Sequence, residues 1–164
     1  MLKKEELEAL LNYFPTIELP VILSENTIID FSKENNPLPN AVVGQILSQF
    51  EEINNEYVEI VPCFSIRDQE HFDAIVYWKG ELMKYEYILA TFEKNGNLIS
   101  KKSVSSVLSD GSTVKKSIAQ IDEDLIIHIM AGESLTEQDY DPENSQAFNM
   151  EIMPTGEIEF SLGD

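Results

Sequence analysis

Short turn signals punctuate the chain from residue 57 onward: Lys79-Gly80, Asn95-Gly96, Ser109-Asp110-Gly111-Ser112, Asp122-Glu123 and Pro154-Thr155-Gly156. No other feature constrains the fold as tightly, because parallel strands need crossovers of about a dozen residues or more and these connections leave no room for them. Between the turns lie segments rich in apolar, β-branched and aromatic residues at 57–66, 72–78, 85–94, 113–120, 124–130, 146–153 and 157–162, with a further strand ending near Leu108. Seven or eight strands joined in this way make an antiparallel meander. Asn95 and Gly96 both tolerate the positive φ of a type I′ turn. A two-residue turn there places Ala90 opposite Lys101 and Phe92 opposite Ile99, the latter two sharing a face.

The first fifty residues follow a different period. Leu7, Leu10, Leu11 and Phe14 fall at i, i+3, i+4 and i+7, the stripe of a short amphipathic helix that Pro15 stops. Residues 17–30, broken by Pro20, read as an edge strand or packed loop. Asn40 closes the turn cluster 35–40 and is a good N-cap for a second helix reaching about residue 53, with Val43, Ile46, Leu47 and Phe50 as its stripe. In 85–94 both alternating sets are apolar, Tyr85, Tyr87 and Leu89 on one side and Ile88, Ala90 and Phe92 on the other, so that strand must be covered on each face. The expected class is α+β: two N-terminal helices packed on a mainly antiparallel meander of seven or eight strands, in one domain spanning 1–164. Hydrophobic residues at 43% suffice for a folded core despite the charge.

That charge is the main guide to partners. Residues 117–164 contain twelve Asp and Glu and no Lys or Arg, within a chain whose formal net charge is −19. A field of that sign repels nucleic acid and anionic membranes and attracts basic proteins. No segment approaches the ~20 apolar residues of a membrane span. The start, Met1-Leu2-Lys3-Lys4-Glu5, lacks the apolar run of a secretory signal. A single cysteine, Cys63, excludes an internal disulfide framework. The expected location is the cytoplasm.

Candidates for chemistry are few. Cys63 lies in a strand between Pro62 and Phe64, not at a helix start, and reads as a buried structural thiol. His128 stands among apolar neighbours on a strand. His71 occupies a polar hairpin tip with Asp73 nearby, where an acid could orient it. Two oxygen-rich loops, Asp122-Glu123-Asp124 and 137–144, suit a hard cation superficially. The second has Pro142 inside it and lacks the turning glycine and twelfth-position glutamate of a helix-loop-helix calcium site. Its carboxylates read as a solvated loop. No glycine-rich phosphate loop occurs. The sequence therefore nominates no catalytic residue, no metal site and no cofactor, and the chain is read as a non-enzyme.

What remains is a protein-binding domain. Lys101, Lys102, Lys115 and Lys116 on one hairpin read as guards of a sheet edge. An immunity-type inhibitor that neutralises a basic toxic enzyme in a bacterial cytoplasm has a physical reason to be acidic, since steering lifts association rates toward ~10⁹ per molar per second. The expected contact residues are Glu133, Glu137, Asp139, Tyr140, Asp141 and Glu143 of the acidic loop region, Glu157 and Glu159 on the last hairpin, and Trp78 as an aromatic anchor. The alternative is a calcium-binding or general scaffold module without enzymatic activity.

Overall fold

A computed structural model describes residues 1–53, 57–135 and 145–161. The class is α+β, with three short helices on the N-terminal side and a nine-stranded sheet whose strands pair antiparallel throughout. In chain order the elements are α1 (Lys4–Leu11), β1 (Val21–Leu23), α2 (Thr27–Glu34), α3 (Asn40–Gln45) and a 3₁₀ turn (Leu47–Gln49). There follow β2 (Glu59–Ile66), β3 (Phe72–Glu81), β4 (Lys84–Glu93), β5 (Leu98–Ser109), β6 (Thr113–Ile121), β7 (Ile126–Leu135), β8 (Gln146–Ile152) and β9 (Ile158–Phe160). Strands β2 to β9 pair in sequence order, and β1 joins β6 from the side.

Both faces of the central strands are covered, as the doubly apolar pattern of 85–94 requires. On one face Ile75, Tyr77, Ile88, Ala90 and Phe92 meet Leu7, Leu10 and Leu11 of α1, together with Phe14, Ile46 and Leu47. On the other, Phe64, Phe72, Val76, Tyr87 and Leu89 share one buried cluster with Ile121, Ile127, Ile129, Met150, Ile152 and Ile158. The sheet thus curls over, and its second half packs on the inner face of its first. Thr91 Oγ1 fastens the halves by donating to the Gly156 carbonyl at 2.6 Å.

Several local expectations are revised. Residues 17–30 hold the three-residue β1 and the start of helix α2, whose Ile28 and Phe31 lean on the inner cluster. Phe31 packs 5.9 Å from Phe64, and Asn35 just beyond α2 donates its amide to the carbonyls of Pro62 and Cys63, covering the outer edge of β2. The helix expected over 40–53 ends at Gln45 and continues only as a 3₁₀ turn. Val42, Val43 and Gly44 in its middle are weak helix formers, and Pro39 rather than Asn40 takes the N-cap. The Asn95-Gly96 connection is a three-residue loop: Gly96 N–H donates to Glu93 O, Glu93 N–H donates to Asn97 O, and Gly96 sits at φ 110. The pairing Ala90 with Lys101 holds, but Phe92 faces Leu98, because a bulge between Thr91 and Phe92 absorbs the extra residue. Phe92 and Ile99 consequently lie in different clusters. Lys79-Gly80 is strand, not turn; β3 runs on to Glu81 and reverses through Leu82-Met83, with Met83 at φ 62.

One irregularity shapes the surface. Strands β5 and β6 pair only over Val107–Lys116, Leu108–Lys115 and Ser109–Val114, and β1 takes over the same edge of β6 from Ala119 to Ile121. Serines fill the parting: Ser106 N–H donates to Ser117 Oγ at 2.8 Å, and Ser105 Oγ lies 3.0 Å from the Leu23 carbonyl and 2.8 Å from that of Ser117. A groove of about 430 Å³ opens there, bounded by Ser103 to Ser106 of β5 and by Lys115, Glu133, Gln146 and Phe148.

Candidate binding surface

The inner face of β2–β4 runs beyond its cover near the β3–β4 hairpin. Two rows of side chains cross three strands there, Val61, Trp78 and Tyr87 in one and Glu59, Gly80 and Tyr85 in the next. Gly80 leaves a gap in the second row, and the Trp78 indole lies across it. A Cβ at position 80 would stand 2.4 Å from the indole Cη2. Lying in that gap, the indole stacks on Tyr85 with centroids 5.4 Å apart and planes at 21°. Below it, the buried Tyr87 hydroxyl donates to Ser24 O at 2.7 Å and lies 2.8 Å from Thr27 Oγ1, which fixes the start of α2 against the stack.

Two recesses flank the stacked pair. The larger, of about 570 Å³, is lined by Tyr57, Glu59, Trp78, Gly80, Glu81, Leu82 and Tyr85. The smaller, of about 170 Å³, has mainly apolar walls from Ile28, Tyr87 and Val107, with Glu25 at its margin. Ser105 and Ser106 belong both to this smaller recess and to the groove at the β5–β6 parting. Leu82 is 88% exposed and Tyr57 77%, with Met83 and Tyr85 beside them, an apolar and aromatic patch on an otherwise acidic molecule. Glu25 pairs with Lys116 at 2.9 Å and Glu81 with Lys79 at 3.3 Å, whereas Glu59 has no ion pair among the described residues.

Of the residues nominated from sequence, Trp78 forms this surface and Glu133 lies in the adjoining groove, exposed and paired across the ladder with Lys115. Glu157 and Glu159 are exposed on the β8–β9 hairpin, whose Gly156 packs against Phe72, six residues along β3 from Trp78 and therefore ~20 Å away. They do not join the Trp78 surface. Glu137, Asp139, Tyr140, Asp141 and Glu143 lie outside the described residues. Sequence reasoning missed Tyr85, Glu59 and Gly80. Placing the reversal at Leu82-Met83 instead of Lys79-Gly80 would have found Tyr85 and Gly80, because it sets Tyr85 opposite Gly80 and diagonal to Trp78, whereas Glu59 is placed by the β2–β3 register.

The remaining reactive side chains are engaged structurally. Cys63 is buried, which drives its thiol pKa far above the ordinary value. Asp73 accepts from Lys94 at 2.8 Å, so it does not orient His71, which stays exposed near Glu70. Asp122 spends Oδ1 on the amides of Asp124 and Ile126 and Oδ2 on His128 Nε2 at 2.8 Å, leaving the 122–124 turn poorly suited to ligate a cation. Among the described residues no group of three His, Cys, Asp or Glu side chains is placed to hold a metal. A buried charged cluster centres on Glu51, which accepts from Tyr77 Oη at 2.6 Å and Lys79 Nζ at 2.8 Å, with Lys101 Nζ at 3.5 Å. Burial raises the Glu51 pKa, but the hydrogen bonds from Lys79 and Tyr77 and the charge of Lys101 outweigh it and hold the carboxyl below its usual range. Lys101 also donates to Phe50 O, so two of the four hairpin lysines, Lys101 and Lys116, are tied to partners instead of guarding an edge.

No described helix is long and apolar enough to cross a membrane. Comparison with protein-family models, with curated proteins and with solved structures finds no match to the chain.

Proposed function

We propose that this chain is a non-catalytic protein-binding domain for a basic partner, acting as an immunity-type inhibitor that neutralises a basic toxic enzyme. One observation carries the reading: Trp78 is held by Gly80 and Tyr85 as a stacked, partly buried platform beside Glu59, on a protein of net charge −19. A rigid aromatic anchor is what protein interfaces use to gain affinity, and surrounding carboxylates speed and select the encounter with a basic surface. Glu133 in the adjoining groove extends the acidic contact, and Glu157 and Glu159 add to the field at longer range.

The test is capture of a partner from the native cytoplasm at low and high salt, with wild type and with a Trp78→Ala variant. A basic protein should be retained by wild type, less at high salt, and be lost from Trp78→Ala at both. Retention of no basic protein, or equal retention by the two baits, overturns the reading.

A further inference from the structure

We propose that the larger recess seats an arginine side chain, its guanidinium stacked on the Trp78–Tyr85 pair and its N–H groups directed at Glu59. This deepens the protein-binding reading and rests on it for the source of the arginine. Three features of the recess select that ligand. Its wall is aromatic, and a cation over an indole or phenol face is attracted by the ring quadrupole, most strongly over tryptophan. Its margin carries a carboxylate, since Glu59 shares a row with Gly80 and Tyr85 and has no ion pair among the described residues, whereas the Glu81 carboxylate is turned to Lys79 on the opposite face. Its volume, about 570 Å³, accommodates a long side chain with its aliphatic stem against Leu82.

Geometry then separates arginine from other cations. The two rings are stacked one on the other at 21°, so what the stack leaves open is a flat outer ring face and not the several inward-facing rings of a cage around a quaternary ammonium. A planar guanidinium covers such a surface while its five donors reach carboxylates in its own plane; an ammonium is a point charge that must choose between ring face and acid, and it is more strongly hydrated.

Trp78 is the only tryptophan, so its emission reports on this recess directly. The probes are capped pentapeptides, Ac-Gly-Gly-X-Gly-Gly-NH₂, with X as arginine, lysine or citrulline, titrated into the whole chain. The arginine peptide should change Trp78 emission saturably and less as salt rises; lysine should bind about tenfold more weakly and citrulline should give no saturable change. A Glu59→Gln variant should lose the arginine response while keeping its far-UV spectrum and unliganded emission maximum, because Glu59 is exposed. No saturable response to arginine, an equal response to citrulline, or a response undiminished in Glu59→Gln would overturn the assignment. Captured partner retained undiminished by Glu59→Gln, with no peptide response, removes the arginine site and leaves the protein-binding reading; a peptide response that Glu59→Gln abolishes, with no basic protein captured, does the reverse.

Discussion

Replacing Gly80 with alanine tests whether the platform is built as described. The new methyl would stand 2.4 Å from Trp78 Cη2 and 2.6 Å from Cζ3. Resting carbon–carbon contacts are ~3.5–4.0 Å, so the indole must withdraw by roughly 1 Å or more. It yields by tilting off Tyr85, which forfeits ~0.5–1.5 kcal/mol of ring pairing, and the residual crowding belongs to the ~1–3 kcal/mol range of overpacked sites. A few tenths of a kcal/mol return from removing a glycine inside a strand. The expected net loss is ~1–3 kcal/mol, read by urea unfolding followed by far-UV circular dichroism. The decisive comparison is with the same substitution in a Trp78→Ala background. No indole is present there, so Gly80→Ala should be neutral or slightly stabilising, giving a coupling of ~1–3 kcal/mol between the two positions. An equal cost in both backgrounds, or none in wild type, would refute the reasoning.

The Glu51 cluster and the Thr91 contact yield further tests. Glu51→Ala leaves the Lys79 ammonium, only 9% exposed, with Glu81 alone; the expected loss is ~3 kcal/mol, the low end for a broken buried pair, by urea titration, and pairing it with Lys79→Met should recover most of it. The folded-state pKa of Glu51 is lowered, so its contribution is complete above the unfolded value of 4.5 and fades as pH falls through the folded one. Glu51→Gln should therefore flatten the acid side of the stability–pH curve, and an unchanged acid slope would contradict this. Thr91→Val removes the donor to the Gly156 carbonyl and should cost ~1–3 kcal/mol in thermal unfolding, with Thr91→Ser close to wild type.

Local rules carried the meander and the first helix but failed wherever a distant residue decided the outcome. The turns at 95–96, 109–112, 122–123 and 154–156 declared themselves through glycine, asparagine and aspartate; Asp110, for example, accepts from the amides of both Ser112 and Thr113. Lys79-Gly80 carried the same signal falsely. Its glycine serves a neighbouring indole, a tertiary reason that turn statistics do not register. Helix α2 went unseen because it buries no residue fully, and its Ile28 and Phe31 show the helical spacing only once. The burial of Glu51 was invisible for a related reason: the lysine that neutralises it lies 28 residues away on another element. Of the site, Trp78 was legible from residue type alone, while its partner Tyr85 required the correct strand reversal and Glu59 the β2–β3 register.

The central claim is that this acidic surface binds a basic protein through Trp78. It is tested most directly by the dissociation constant for the captured partner as a function of salt, measured for wild type and Trp78→Ala. The account predicts affinity that falls steadily as salt rises, and a loss of about 30-fold on removing the indole, the effect of a ~2 kcal/mol anchor, at every salt concentration. Affinity independent of salt, or a Trp78→Ala variant that binds as tightly as wild type, would contradict it.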